Sequence, residues 1–297
     1  MTTTLVEKIG SNFPTGRDRA TIATWAANIP ANLVTADQVA QGECYNDSEF
    51  SGAVTISGIV TDTTRYVHLT AAATQSFQDH ANKTTNALRY NQSNGVAWTT
   101  SLANTKLLTV NVGDFKLSRM QLKTSGTGSS QCLNSQAGNS NIRVEDCVFE
   151  NTGGTSDTVV VFVNAKLVEV FNCLSIADQA SGGGITMNHQ ATTTKISGCT
   201  IVRTSNRSAA GTGISHNSAA MTVKNTLVFG FTTVTSSTAI VPTNCATDQT
   251  APESGWTGGI TYANVFVDNS ATKDFRLHSG TPSSVATGAS SAVICSL

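Results

Sequence analysis

The chain has 297 residues, with 18 Lys and Arg against 19 Asp and Glu and a formal net charge of −1 at pH 7. Only 12% of residues are charged, about half the usual share of a soluble domain, so Thr, Ser, Asn and Gly must supply most of the polar surface. This balance leaves no basic footprint for nucleic acid, and no apolar run approaches the roughly 18 residues of a membrane span.

Residues 1–16 read as an N-terminal arm, with Phe13-Pro14 and Gly16 but no periodicity. The start, Met1-Thr-Thr-Thr-Leu-Val-Glu-Lys8, has neither the basic opening nor the apolar stretch of a secretory signal. A chain folded in a reducing host cytoplasm is the expectation. Residues 17–38 hold a capping helix and linker. Ile22, Trp25, Ala26 and Ile29 fall at i, i+3, i+4 and i+7, one apolar face, and Pro30 ends the run. That helix is expected to plug the open N-terminal end of the remaining chain.

Residues 39–297 are organised by a repeat. Val54-Thr-Ile56 and Tyr66-Val-His-Leu69 read as early strands. Five later segments then share one pattern at intervals of 26 or 27 residues. They begin at Leu117, Val144, Val170, Ile196 and Val223, and three residues on carry Met120, Cys147, Cys173, Cys199 and Thr226. A fixed period of this length marks a solenoid, in which no single repeat can bury its apolar face alone.

Just before those positions stand Arg119, Asp146, Asn172, Gly198 and Asn225. Asp, Asn and Gly tolerate a left-handed backbone, so each segment reads as strand, one-residue corner, strand. Arg119 departs from the rule, and its corner is expected to be built differently. A second strand signal, closed by Asn, precedes four of them: Leu108 to Asn111, Val161 to Asn164, Ile185 to Asn188 and Ile214 to Asn217. No helical periodicity interrupts residues 100–230, so the expected fold is an all-β parallel β-helix of about 26 residues per coil. A loop inserted at about 237–256 contains Pro242, Pro252 and Gly255, and a last coil is expected at Tyr262 to Val267.

The coil length, the Asn corner and the closing Asp274-Phe-Arg-Leu277-His-Ser-Gly-Thr-Pro282 resemble the right-handed parallel β-helix, or pectin-lyase-like, superfamily. The resemblance implies the right hand, in line with the general preference of parallel crossovers. It says little of function, because this fold hosts lyases, hydrolases, adhesins and virus structural proteins. Thr21 to Trp25, Asn32 to Thr35 and Gly42 to Asp47 further resemble openings of β-helix proteins of tailed bacteriophages.

Chemistry-bearing residues are few. Cys147, Cys173 and Cys199 share one row, roughly 4.8 Å apart, while Cys44, Cys132, Cys245 and Cys295 are dispersed. With seven cysteines, no Cys-x-x-Cys and no recurring His, buried reduced thiols are expected. The polygalacturonase and lyase strings of the superfamily are missing, and no two Asp are adjacent. Hydrolysis wants two carboxylates roughly 5–10 Å apart. Glu145 and Glu169 are the nearest approach but occupy different rows, and Asp157 and Asp178 fall in loops. His189 and His216 are offset by one residue and expected on opposite faces. Thr192-Thr-Thr194 does not recur, which sets ice binding aside, and Trp98 and Trp256 have no assigned role.

The expectation is therefore no catalytic, cofactor or metal residue and no cofactor. The reading is a non-enzymatic virion protein, decorating or cementing a bacteriophage capsid through residues 1–16, as a homotrimer or other symmetric array. Partners would be capsid or other virion proteins, with neither nucleic acid nor membrane. The alternative is a polysaccharide-degrading enzyme or glycan-binding spike.

Overall fold

The computed structural model describes residues 2–79, 86–136, 138, 140–153, 159–163, 165–178, 183–188, 193–204, 211–216, 221–236, 240–268, 270 and 273–277. The chain is all-β and solenoid-like, built on three stacked parallel sheets. The first sheet runs from β1 (Thr3–Ile9) and β2 (Gln38–Cys44) through Asp114–Ser118, Asn141–Glu145 and Leu167–Phe171 to Ile240–Thr243. The second runs from Phe50–Ser51 through Val148–Asn151 and Leu174–Ala177 to Trp256–Thr257, and the third from Val54–Ser57 to Thr233–Thr235.

The register of the first sheet is the sequence period itself. Leu117 pairs with Val144, Val144 with Val170, Val170 with Ile196 and Ile196 with Val223. All five point inward and are buried, as are Met120, Cys147, Cys173, Cys199 and Thr226 beyond the corner. Asp146, Asn172, Gly198 and Asn225 hold φ of 55°, 53°, 66° and 48°. Arg119 holds 62° as well, so its corner is built like the others. Each corner N–H is bonded to the neighbouring strand, Asp146 to Phe171 O and Asn172 to Ser197 O. Those bonds hold the left-handed conformation whatever the side chain.

Within 240–256 strands interrupt the expected loop, and only residues 248–255 form an irregular stretch between them. Ile240–Thr243, Cys245–Thr247 and Trp256–Thr257 are strands of the first and second sheets. Val223 pairs with Pro242 and Leu227 with Ala246, which puts Asn244, at φ 54°, on the corner and Cys245 on the thiol row. The step here is shorter than the period, which hides the match in the sequence. The third sheet corrects a second alignment. Val160, not Val161, pairs with Leu133 and with Ile185, and the partner of Asn188 is Val163; Asn164 lies outside the described residues.

The second sheet is buried on both faces. Phe149 and Ile201 face the main core, whereas Val148, Leu174, Ile176 and Phe229 face a separate apolar cluster. Residues 260–268 and 273–277 supply its cover as a strap instead of a last coil. Tyr262–Asn264 is a short 3₁₀ turn, and Phe266–Asp268 pairs antiparallel with Asp274–Leu277. Phe266 packs edge-on against Phe229, Tyr262 and Phe275, with ring centroids 5.7, 5.7 and 5.4 Å apart. The N–H of Phe275 and the N–H of Leu88 tie the strap to the segment around residue 88.

At the opposite end, α1 (Ile22–Ala26) is shorter than its periodicity predicts. Thr21 caps it in a capping box with Thr24. Ile22 and Trp25 are buried, and Trp25 lies so close over Gly42 that a Cβ there would fall 2.6 Å from its ring. α2 (Leu33–Ala36) comes next, capped by Asn32. Residues 3–9 are no loose arm: β1 pairs in parallel with β2 over seven residues, from Thr3 with Gln38 to Ile9 with Cys44.

Candidate functional site

Alternation along the strands of the first sheet turns every second residue outward. Three outward rows result. One carries Asp114, Asn141 and Leu167; the next His68, Lys116, Arg143, Glu169 and Lys195; the third Thr70, Ser118, Glu145, Phe171 and Ser197. A shallow groove of about 490 Å³ runs over the first two rows, with Tyr66 at one end and Glu169 at the other.

Glu145 and Glu169 stand on different rows, as the sequence implies, and Arg143 bridges them. Its Nε donates to Glu145 Oε2 at 2.8 Å and a terminal nitrogen lies 3.8 Å from Glu169 Oε2. Lys116 pairs with Glu145, and Lys195 Nζ lies 3.0 Å from Glu169. Asn141 Nδ2 donates to Asp114 at 2.6 Å. Burial pushes the Glu145 carboxyl up, but hydrogen bonds from Lys116 and Arg143 outweigh it and hold it below the usual range. A general acid needs the opposite shift. Held down in this way, Glu145 is an ion-pair partner of Lys116 and Arg143 and is poorly placed to donate a proton.

His68 is a site residue that the sequence pattern does not single out. Its Nε2 lies 2.8 Å from Ser118 Oγ and its Nδ1 3.2 Å from Gln41 Oε1, while Ser118 Oγ bonds Thr70 Oγ1 at 2.8 Å. The arrangement resembles a nucleophile–base pair only in outline. Ser118 is buried, and an amide stands where an imidazolium would need a carboxylate. Burial, then the Lys116 charge, lower the His68 pKa to about 4, so the ring is neutral at pH 7. The four residues form a polar rung across three strands. Only the spacing from Gln41 to His68 could have revealed it, and the 48 residues from His68 to Lys116 break the period.

The other candidates are scattered through the interior. Asp178 is buried just after Leu174–Ala177, where Thr204 Oγ1 donates to it at 2.5 Å and Lys273 Nζ lies 3.0 Å away. His216 is buried and lies two residues beyond the inward Ile214, so it too points into the core. Trp98 is fully buried, its Nε1 bonded to Gly52 O at 2.8 Å, and Trp256 is buried in the main core. Neither offers a face to a sugar. Asp157, His189, Thr192 and Cys295 lie outside the described residues.

The six described cysteines are free and buried. Burial pushes Cys132 up to about 12 and Cys245 up to about 11, and Cys173, between Cys147 and Cys199, well above the usual thiol range. Such thiols are poor nucleophiles. Among the described residues, no three His, Cys, Asp or Glu converge as a metal-binding group, and no helix is long and apolar enough to cross a membrane.

A different feature is an open sheet edge. Thr3 N–H donates to Asp37 O and Ile9 O accepts from Tyr45 N–H, so Thr3, Leu5, Glu7 and Ile9 turn their backbone groups toward β2. Those of Thr4, Val6 and Lys8 face away. Asp18 and Arg19 take up Lys8, through its carbonyl at 2.8 and 3.0 Å and its N–H at 2.8 Å. Beyond Thr4 and Val6 no described strand lies, and Leu5 and Val6 are 38% and 42% exposed. Phe13, in the turn after β1, is 48% exposed.

Comparison of the chain with protein-family models, curated proteins and solved structures found no match.

Proposed function

We propose that the chain is a non-enzymatic structural protein of a tailed-bacteriophage virion, attached through its N-terminal strand. On this reading the three sheets close into a right-handed β-helix of about 26 residues per coil, a stiff rod with few charges and broad polar flanks. The observation that carries the reading is the open outer edge of β1. Backbone donors and acceptors at Thr4 and Val6, beside exposed Leu5, Val6 and Phe13, are what strand addition by another chain requires. The partner is a capsid or other virion protein, and the copies form a symmetric array. Carboxylates neutralised by Lys116, Arg143 and Lys195 support a role without catalysis.

The test is immunogold electron microscopy of phage particles carrying this coding sequence, with or without Val6→Pro. Label on wild-type particles and none on the variant is expected. A chain that stays soluble and unlabelled in the wild type refutes the reading. A glycan-binding role is favoured by one observation, the groove between Tyr66 and Glu169. Retention on a glycan array, lost in Tyr66→Ala, would support it.

A further inference from the structure

The strap over the second sheet buries a set of reactive groups that attachment through β1 does not use. Glu150 stands on the outer face of Val148–Asn151, in the row of Ile176 and Val202. Asp178 lies one step further along the neighbouring strand. Lys273 enters from the strap, two residues before Phe275, with φ of 56°, a left-handed conformation that a lysine adopts only when its surroundings impose it. Their exposures are 2%, 7% and 7%. Lys273 Nζ lies 2.8 Å from Glu150 Oε1 and 3.0 Å from Asp178 Oδ2. Thr204 Oγ1 holds the other oxygen of Asp178 at 2.5 Å, and Lys123 Nζ stands 3.3 Å from Glu150.

From this geometry we infer that Lys273 and Asp178 condense into an intramolecular isopeptide bond, with Glu150 as the proton-transfer group. An amine held against a carboxyl inside the fold has the proximity that replaces bimolecular encounter. The step begins with one proton passing from Nζ to Asp178 across their 3.0 Å contact, which leaves an amine facing a carboxylic acid. The Nζ lone pair attacks Cγ of Asp178, and the Glu150 carboxylate accepts a proton from Nζ. The hydrogen bond from Thr204 stabilises the oxygen on which charge develops. Glu150 then returns its proton to the departing hydroxyl. One C–N bond forms, one C–O bond breaks and one water leaves, so no oxidant or other reactant is needed. The product staples the strap to the second sheet and keeps its apolar outer face covered.

The experiment is the intact mass of purified wild-type chain, fully reduced and denatured, combined with peptide mapping. The expected mass is lower than that of the sequence by one water, with a branched peptide joining the segments of Lys273 and Asp178. Lys273→Arg keeps the charge and the ion pairs, and should restore the full mass in a folded chain. Glu150→Gln should leave most molecules unreacted. A folded wild-type chain of full sequence mass overturns the inference. A water loss that persists in Lys273→Arg, or a branch ending on Glu150, overturns it too.

Discussion

Replacing Cys173 tests the interior row directly. The side chain is 1% exposed, between Cys147 and Cys199, and its Sγ donates to Phe171 O at 3.1 Å. Cys173→Asp puts a carboxylate where the neighbours are thiols and a carbonyl oxygen, with no cation to meet it. Leaving such a charge buried costs about 3–5 kcal/mol, much of the ~5–15 kcal/mol that holds a domain folded. Cys173→Ser keeps a donor for the same carbonyl. Thr226 shows that a hydroxyl is accepted on this row, donating to Lys224 O at 2.8 Å. The serine cost should be about 1 kcal/mol, near that of an exchanged hydrogen bond. Urea titration monitored by the fluorescence of buried Trp25 and Trp98 measures both. If the aspartate variant melts with the parent, the row is not interior and the register argument fails.

Three further outcomes are expected. Val6→Pro removes an N–H that faces away from β2 and should leave the urea midpoint unchanged, whereas Leu5→Pro breaks a strand bond and should lower stability by about 1–3 kcal/mol; equal effects would mean the edge is misassigned. The His68 pKa is depressed in the fold, from 6.5 to about 4, so its contribution is intact above pH 6.5 and lost as pH falls toward 4. The loss is about 3 kcal/mol at most and should vanish in His68→Gln; an NMR titration with a midpoint near 6.5 would refute the burial argument. Gly42→Ala drives a Cβ into the Trp25 ring and should cost about 1–3 kcal/mol. Faster hydrogen exchange at Ile22–Ala26 reports the unseated cap, and unchanged exchange would refute that packing.

The first-sheet rows were legible because their residues repeat both chemically and in spacing. Leu117 to Val223, the corners and the thiol row all lie in register as the period implies. Legibility ended where the step changed. Pro242-Thr-Asn244-Cys245 repeats the pattern at a shorter interval, and the strand Gln131–Ser135 carries Ser135 at the inward position that Val110 and Phe162 fill in the neighbouring strands. Burial on a second face was also hidden. Val148, Leu174 and Ile176 look like ordinary strand residues until the strap is placed over them, and nothing local in Tyr262 to Leu277 says which sheet it covers. The polar rung of Gln41, His68 and Ser118 and the set of Glu150, Asp178 and Lys273 join residues far apart in sequence. Long-range geometry of that kind is not written in any window of the chain.

The two ends of the first sheet are treated differently, and the difference limits how copies can meet. At the far edge, Thr243 O accepts from Asn225 N–H, so Thr243 turns its backbone groups inward and Pro242 turns outward. Proline has no N–H to offer there, and Gly255 packs against its ring. That edge is blunted, as exposed strand edges commonly are. At the near edge, Thr4 and Val6 offer donors and acceptors with no proline among them. Head-to-tail stacking needs two open edges per chain, so the blunted far edge works against a filament built through this sheet. An open edge at one end leaves a twofold pairing of two β1 strands or a strand from a different protein. A threefold array must draw its contacts from the flanks. Mass photometry of the purified chain separates these: a dimer abolished by Val6→Pro identifies the twofold, a monomer that binds only the particle identifies the foreign strand, and a length-distributed polymer would refute the edge argument.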